Sequence, residues 1–255
     1  MKWSTPLIVG VCIVLLGIVW YVSTPASQPQ TSRTPVSTTT PATLSGTSYV
    51  EHAQYYDIAA NYPSTTPLIG SANTAAVGQI DTFISTTISQ FKSQGGFSTL
   101  TQADATNMGL TPDNKETLDI KYLIASSPHT VSYIFTTYEY TLGAHGNTFF
   151  QTFTFNTTTG TLLSLGDVFS GTSYLNTLSS ISRAQLPGVI GQTYDPSFIT
   201  DGTQPTAANF SSFFFDNSDF VILFSPYQVA PYAAGPQTLR IPTASLQSIL
   251  NSQYP

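Results

Sequence analysis

The stretch TLDIKYLIASSPHTVSYIFTTYEYTLGAHGNTFFQTFTFN, residues 117–156, decides how the chain reads. Three runs rich in β-branched and aromatic residues, 117–126, 130–142 and 148–156, are separated by two turn-forming breaks, Ser127-Pro128 and Gly143-Ala144-His145-Gly146-Asn147. In the third run Phe149, Phe153 and Phe155 share one face with only Gln151 between them, the two-residue period of a strand that buries one side. Consecutive strands joined by short turns predict antiparallel pairing.

Working upstream, residues 49–62 are rich in β-formers and close on Asn61-Tyr62-Pro63, which reads as one or two strands and a turn. The period then changes. Between residues 73 and 94, Val77, Ile80, Phe83, Ile84, Ile88 and Phe91 recur at three- and four-residue steps, predicting an amphipathic helix. Ser71 or Asn73 could cap its start, and Gly95-Gly96 ends it. Downstream of residue 156, 157–160 is a turn, and 162–169 leads into a predicted helix over 173–186 stopped by Pro187. Strands are expected at 210–216, 220–224 and 238–241, with a long aromatic loop before the last of these and a final helix over 243–251. Strands and helices are segregated, so the expected class is α+β: a largely antiparallel sheet packed with about three helices, plus one N-terminal transmembrane helix.

That transmembrane segment is the uncharged run 7–22, preceded by a short cytoplasmic end, 1–6. Its sixteen residues make about 24 Å of helix, just enough to cross a bilayer with Trp3, Trp20 and Tyr21 at the interfaces. An uncleaved signal anchor is the preferred reading over a signal peptide cut after Ala26, and either one exports the rest of the chain. Residues 23–45, nearly all Ser, Thr, Pro, Gln and Ala, read as an extended stalk. The expected location is the cell membrane, single-pass, with the C-terminal domain outside the cytoplasm.

Cys12, the single cysteine, lies in the apolar run, so the exported part has neither a disulfide nor a thiolate metal site. Charged residues are 8% of the chain, and the exported domain, residues 46–255, carries all 13 acidic side chains against five basic ones, a formal charge of −8. That balance excludes nucleic acid as a partner and suits a cationic one. His52, His129 and His145 stand at no metal-ligand or catalytic spacing, and no nucleophile elbow occurs. No cofactor and no metal are expected. Two loops stand out as recognition surfaces: the glycine-flanked turn bearing His145 and Asn147, and 225–235, with Tyr227, Gln228 and Tyr232 among prolines and small residues. Asn156-Thr157-Thr158 and Asn209-Phe210-Ser211 match the glycosylation sequon.

Residues 138–147, Thr159-Gly160 with Leu165-Gly166-Asp167-Val168-Phe169, and 227–235 resemble successive motifs of the extracellular domain of RsiV-type anti-sigma factors. The same domain, with an N-terminal companion, precedes the catalytic domain of PdaC-type peptidoglycan deacetylases. The resemblance divides the exported part into a PdaC-like half, 46–115, and an RsiV-like half, 116–255. Leu142 stands where the family usually has a glycine, and Gln228 where it often has an acidic residue.

Six residues before the apolar run are too few for a sigma-factor-binding segment, and no catalytic domain comes after residue 255, so neither signalling nor deacetylation is expected of the chain as it stands. The resemblance implies a binding module, not an enzyme, that recognises a lysozyme-like muramidase or peptidoglycan, with Tyr140, His145, Asn147, Tyr227, Gln228 and Tyr232 as the candidate ligand-binding set. Two other readings remain open: a wall-polymer hydrolase using Glu139 and Asp167, and a structural subunit of an envelope complex.

Overall fold

A computed structural model describes residues 46–191 and 195–254. The expected cytoplasmic end, membrane helix and stalk, residues 1–45, lie outside the described residues; among those described, no helix is long and apolar enough to cross a membrane.

The order of elements is β1 (Gly46–His52), β2 (Tyr56–Pro63), α1 (Ser71–Gln94), α2 (Gln102–Asn107), β3 (Glu116–Ser126), β4 (Thr130–Tyr140), β5 (Asn147–Asn156), α3 (Leu165–Val168), α4 (Tyr174–Ile190), α5 (Pro196–Gly202), β6 (Phe213–Asp216), β7 (Asp219–Phe224) and β8 (Gln237–Pro242). The α+β class holds, with antiparallel-rich sheets, but the strands form two sheets and five α-helices are described where one sheet and about three helices were expected. The larger sheet runs β1-β2-β3-β4-β5 and the smaller β6-β7-β8. Every pairing is antiparallel except β2 with β3, because α1 and α2 carry the chain across to a parallel neighbour.

Side-chain parity builds the layers. On one face of the larger sheet, Ile58, Leu118, Ile120, Val131, Tyr133, Phe135, Phe153 and Phe155 meet the predicted stripe of α1, Ile80, Ile84, Ile88 and Phe91. On the other face, Ile134 and Phe150 meet Phe214, Val221 and Leu223 of the smaller sheet. The far side of that smaller sheet, with Phe213, Phe215, Phe220, Ile222 and Phe224, is covered by α3, α4 and α5 through Leu165, Val168, Leu178, Leu186 and Ile199. The order is therefore helix, sheet, sheet, helices.

Several local expectations are corrected. Neither Ser71 nor Asn73 caps α1: Gly70 precedes the helix at φ 61°, and the Asn73 side-chain oxygen instead accepts from the Thr66 backbone N–H and hydroxyl at 2.7 and 2.9 Å. Pro187 does not stop α4. The helix continues to Ile190 and ends at left-handed Gly191, whose N–H reaches Pro187 O, while Leu178, Ser182 and Leu186 keep the segment buried. The final helix over 243–251 is a 3-10 turn, Thr243–Leu246, because residues beyond it pair with 168–170: Ser170 N–H donates to Ile249 O, and Asn251 N–H to Val168 O. The strand expected from 210 begins at Phe213, since Ala208–Phe210 make a 3-10 turn that buries Phe210.

Tyr133 is fully buried and its hydroxyl finds no hydrogen-bond partner among the described residues, so burial pushes its ionisation far up. A buried hydroxyl without a partner costs about 1–3 kcal/mol. Tyr133→Phe is therefore expected to raise stability by about 1 kcal/mol or more in urea unfolding; a loss would mean that the hydroxyl has a bound partner.

Candidate functional site

The turn between β4 and β5 begins at Leu142, which sits in the left-handed region at φ 59°, the conformation that explains a glycine preference at this position. The turn closes on Gly146, where an added Cβ would lie 2.3 Å from the Tyr138 ring, so the bare backbone is what lets Tyr138 pack beneath it. This geometry presents His145 outward. Its ring stacks on Tyr232 at 3.7 Å between centroids and 16° between planes, and Tyr227 closes the group at 5.5 Å from Tyr232. The Tyr232 hydroxyl donates to Gly146 O at 2.8 Å. His145 Nδ1 lies 3.1 Å from the same carbonyl, which can only accept, so Nδ1 carries the proton; Nε2, 3.2 Å from the Tyr227 hydroxyl, accepts from it in the neutral ring.

Of the six predicted residues, the fold brings three together: His145, Tyr227 and Tyr232. Tyr227, 51% exposed at φ 69°, and Tyr138, 39% exposed, leave aromatic surface open to solvent beside them. Gln228 turns inward. Its side-chain oxygen accepts from Ser225 N–H at 3.3 Å, and its nitrogen donates to Gly202 O and Asn209 O at 3.2 and 3.0 Å, so it anchors the loop that bears the tyrosines. Tyr140 is half-buried opposite Thr117, and Asn147 is exposed opposite Glu139. Tyr138 escaped the sequence reading; the signal that could have found it is its position on the same face as Tyr140, two residues away.

The hydrolase pair does not form. Asp167 closes the capping box of α3, accepting from Ser164 N–H and hydroxyl at 2.8 and 2.6 Å, and these bonds hold its carboxyl below the usual range. Glu139 interacts instead with Glu116, which the sequence reading passed over. Glu116 is 4% exposed, and burial, with the Glu139 charge behind it, raises its carboxyl pKa; burial raises that of Glu139. The first sequon is closed as well: Asn156 is buried and donates to the Tyr254 hydroxyl at 3.2 Å. No group of three or more potential metal ligands occurs among the described residues.

A carboxyl whose folded-state pKa is raised contributes stability below its unfolded value, near 4.5, and loses it as pH climbs through the folded value. Glu51 acts oppositely: the Lys92 hydrogen bond, then those of Tyr49 and Tyr56, lower it to about 2, so its contribution is present above 4.5 and fades as pH falls toward 2. Glu116→Gln removes only the first effect. It is expected to raise stability at pH 7.5 by about 1 kcal/mol, roughly 2–4 °C in Tm, and to gain nothing at pH 4. Equal gains at both pH values would show that charge is not the cause.

The fold and these groups define an α+β domain of two packed sheets, with an aromatic cluster at one hairpin tip and two neighbouring carboxyls, Glu116 buried and Glu139 half-buried, beneath one helix. Residues 166–244 match the family model described as Protein of unknown function (DUF3298). Over 99% of its length the chain is 27% identical to the peptidoglycan-N-acetylmuramic acid deacetylase PdaC of Bacillus subtilis (strain 168), and it spans about half, 51%, of that relative's length. A crystal structure of a DUF3298-family member from Bacteroides fragilis superposes with a TM-score of 0.56 at 16% identity, covering 83% of this chain and 95% of that one, so the fold is shared. A DUF3298 protein from Pseudomonas aeruginosa gives a TM-score of 0.48 at 12% identity over 83% of this chain and 96% of its own.

Proposed function

We propose that residues 46–255 form a binding module that works at the cell wall, held outside the membrane by the apolar segment 7–22 and spaced from it by the stalk 23–45, and that the module recognises wall glycan without cleaving it. The observation that carries this reading is the stacked His145–Tyr232 pair with Tyr227 beside it, partly exposed at a hairpin tip. Aromatic faces suit the C–H faces of sugar rings, and the tyrosine hydroxyls and imidazole at their edges suit sugar hydroxyls. The relationship to a protein that acts on peptidoglycan supports the same class of ligand.

Retention of the detergent-solubilised full chain on purified peptidoglycan tests it. Saturable retention that falls about tenfold in Tyr227→Ala, a change at an exposed ring, supports the proposal. No saturable retention, or retention that this variant leaves unchanged, rejects it. A second reading, a cationic lysozyme-like protein as the partner, is favoured by the formal charge of −8 on residues 46–255. Calorimetry against lysozyme distinguishes specific contact, which survives roughly 0.5 M salt, from charge attraction, which does not.

A further inference from the structure

Away from the hairpin tip, a cleft of 280 Å³ opens between α1 and the larger sheet, lined by Thr87, Gln90 and Gln94 of α1 and by Thr137, Glu139 and Phe149 of the sheet, among others. Leu118 is also in its wall, and Glu116, two residues earlier in β3, points to the same face and interacts with Glu139. Thr137 is 6% exposed, and its hydroxyl has no hydrogen-bond partner among the described residues. The same is true of Glu116, which is 4% exposed, and of the half-buried Glu139, whereas Gln90 and Gln94 are exposed and meet solvent. Polar side chains buried to this degree are ordinarily bonded, so Thr137 and Glu116 without partners beside one cleft point to a ligand that bonds them.

The charge balance identifies that ligand. The charged residues of α1, Asp81 and Lys92, line a separate groove with Tyr49 and Tyr62; Lys92 is bonded to Glu51, and Lys115, next to Glu116 in the chain, is paired with Asp57. Among the described residues no basic group thus serves the two carboxyls, and their mutual repulsion is relieved by a proton or by a cation brought from outside. Amides and a hydroxyl suit a hydroxylated ring, and the partly exposed Phe149 gives it an apolar wall. The volume falls just under the roughly 300–1,000 Å³ of drug-sized sites, room for one ring. We propose that this cleft binds an amino sugar, a hydroxylated ring whose free primary ammonium sits between Glu116 and Glu139 while Thr137, Gln90 and Gln94 take its hydroxyls.

The probes are glucosamine, N-acetylglucosamine, which has the same ring with a neutral amide, and Nα-acetyl-lysine amide, which has the ammonium without the ring. Each is titrated into the full chain in detergent at about pH 6.5 by calorimetry and ligand-observed NMR. Expected are glucosamine binding at least tenfold tighter than either of the others, weakening as pH falls because protons compete for the pair, and loss of the tenfold preference in Glu139→Gln. Glu116→Gln, which keeps the shape and is expected to stabilise the fold, must lose it as well. Equal binding of the two sugars, equal binding of the lysine derivative, no binding of glucosamine, or a preference that survives both substitutions in folded protein overturns the proposal. Leu123→Ala, an exposed change outside both this cleft and the aromatic cluster, should leave glucosamine affinity unchanged.

Discussion

Phe220→Ala is expected to destabilise the domain by about 3–5 kcal/mol, lowering Tm by roughly 10 °C. Phe220 is fully buried at the centre of the smaller sheet. Its ring meets Phe169 edge-on at 5.1 Å, Phe213 in a stack at 5.5 Å and Phe215 edge-on at 5.4 Å, so three aromatic contacts are lost together with the buried area. Phe213 and Phe215 stand on the neighbouring strand, on the face covered by α3, α4 and α5, and none of the three can refill the space without leaving its own place in that layer. The measurement is urea unfolding of wild type and variant, read by circular dichroism and tyrosine fluorescence. A loss under about 1 kcal/mol would mean that the helical layer collapses onto the cavity and that this core is plastic.

Much of this layering is legible in the amino acids, though its assembly is not. The α1 stripe and the three strands from 116 to 156 carry periods strong enough to read, because each buries one face over a good part of its length. Periodicity gives faces but no partners. Nothing in 213–224 says that Phe214 and Val221 turn toward Ile134 while Phe213 and Phe220 turn away, so two sheets read as one. The short helix α2 was missed at six residues, although Thr101 and Asp104 form a capping box that marks its start.

The candidate site divides in the same way. His145 and the 227–232 tyrosines stood out singly by composition, but their stacking across 82 or more positions depends on how the smaller sheet docks. Gln228 looked like a recognition residue because of its neighbours, and its side chain is instead committed to three backbone groups. Glu116 belongs to none of the motifs legible in the sequence. Its burial comes from the parallel pairing of β2 with β3, which sets it opposite Tyr56, and no local pattern encodes that pairing.

Gly202→Ala is expected to cost about 3 kcal/mol or more, and to weaken peptidoglycan retention along with stability. A Cβ at position 202, at the end of α5, would lie 1.8 Å from the Gln228 carbonyl oxygen, 2.6 Å from its carbon and 3.0 Å from Val229 Cγ1. The first two are backbone atoms of a loop whose next residues, Val229 and Ala230, are buried, so no side-chain rotation relieves the overlap. Either α5 or the loop must move, and the bonds from the Gln228 amide to Gly202 O and Asn209 O go with it. Tyr227 precedes that anchor directly and Tyr232 comes four residues after it, so displacement disturbs the stack on His145. Gly188→Ala is the matched control: nothing lies within 4 Å of a Cβ there, and the position is inside α4, where alanine is favoured by about 0.5–1 kcal/mol. The same chemical change should therefore have opposite signs at the two positions in urea unfolding. Similar effects at both would show that clearance against the Gln228 backbone is not what position 202 requires, and would detach the tyrosine loop from α5 as its support.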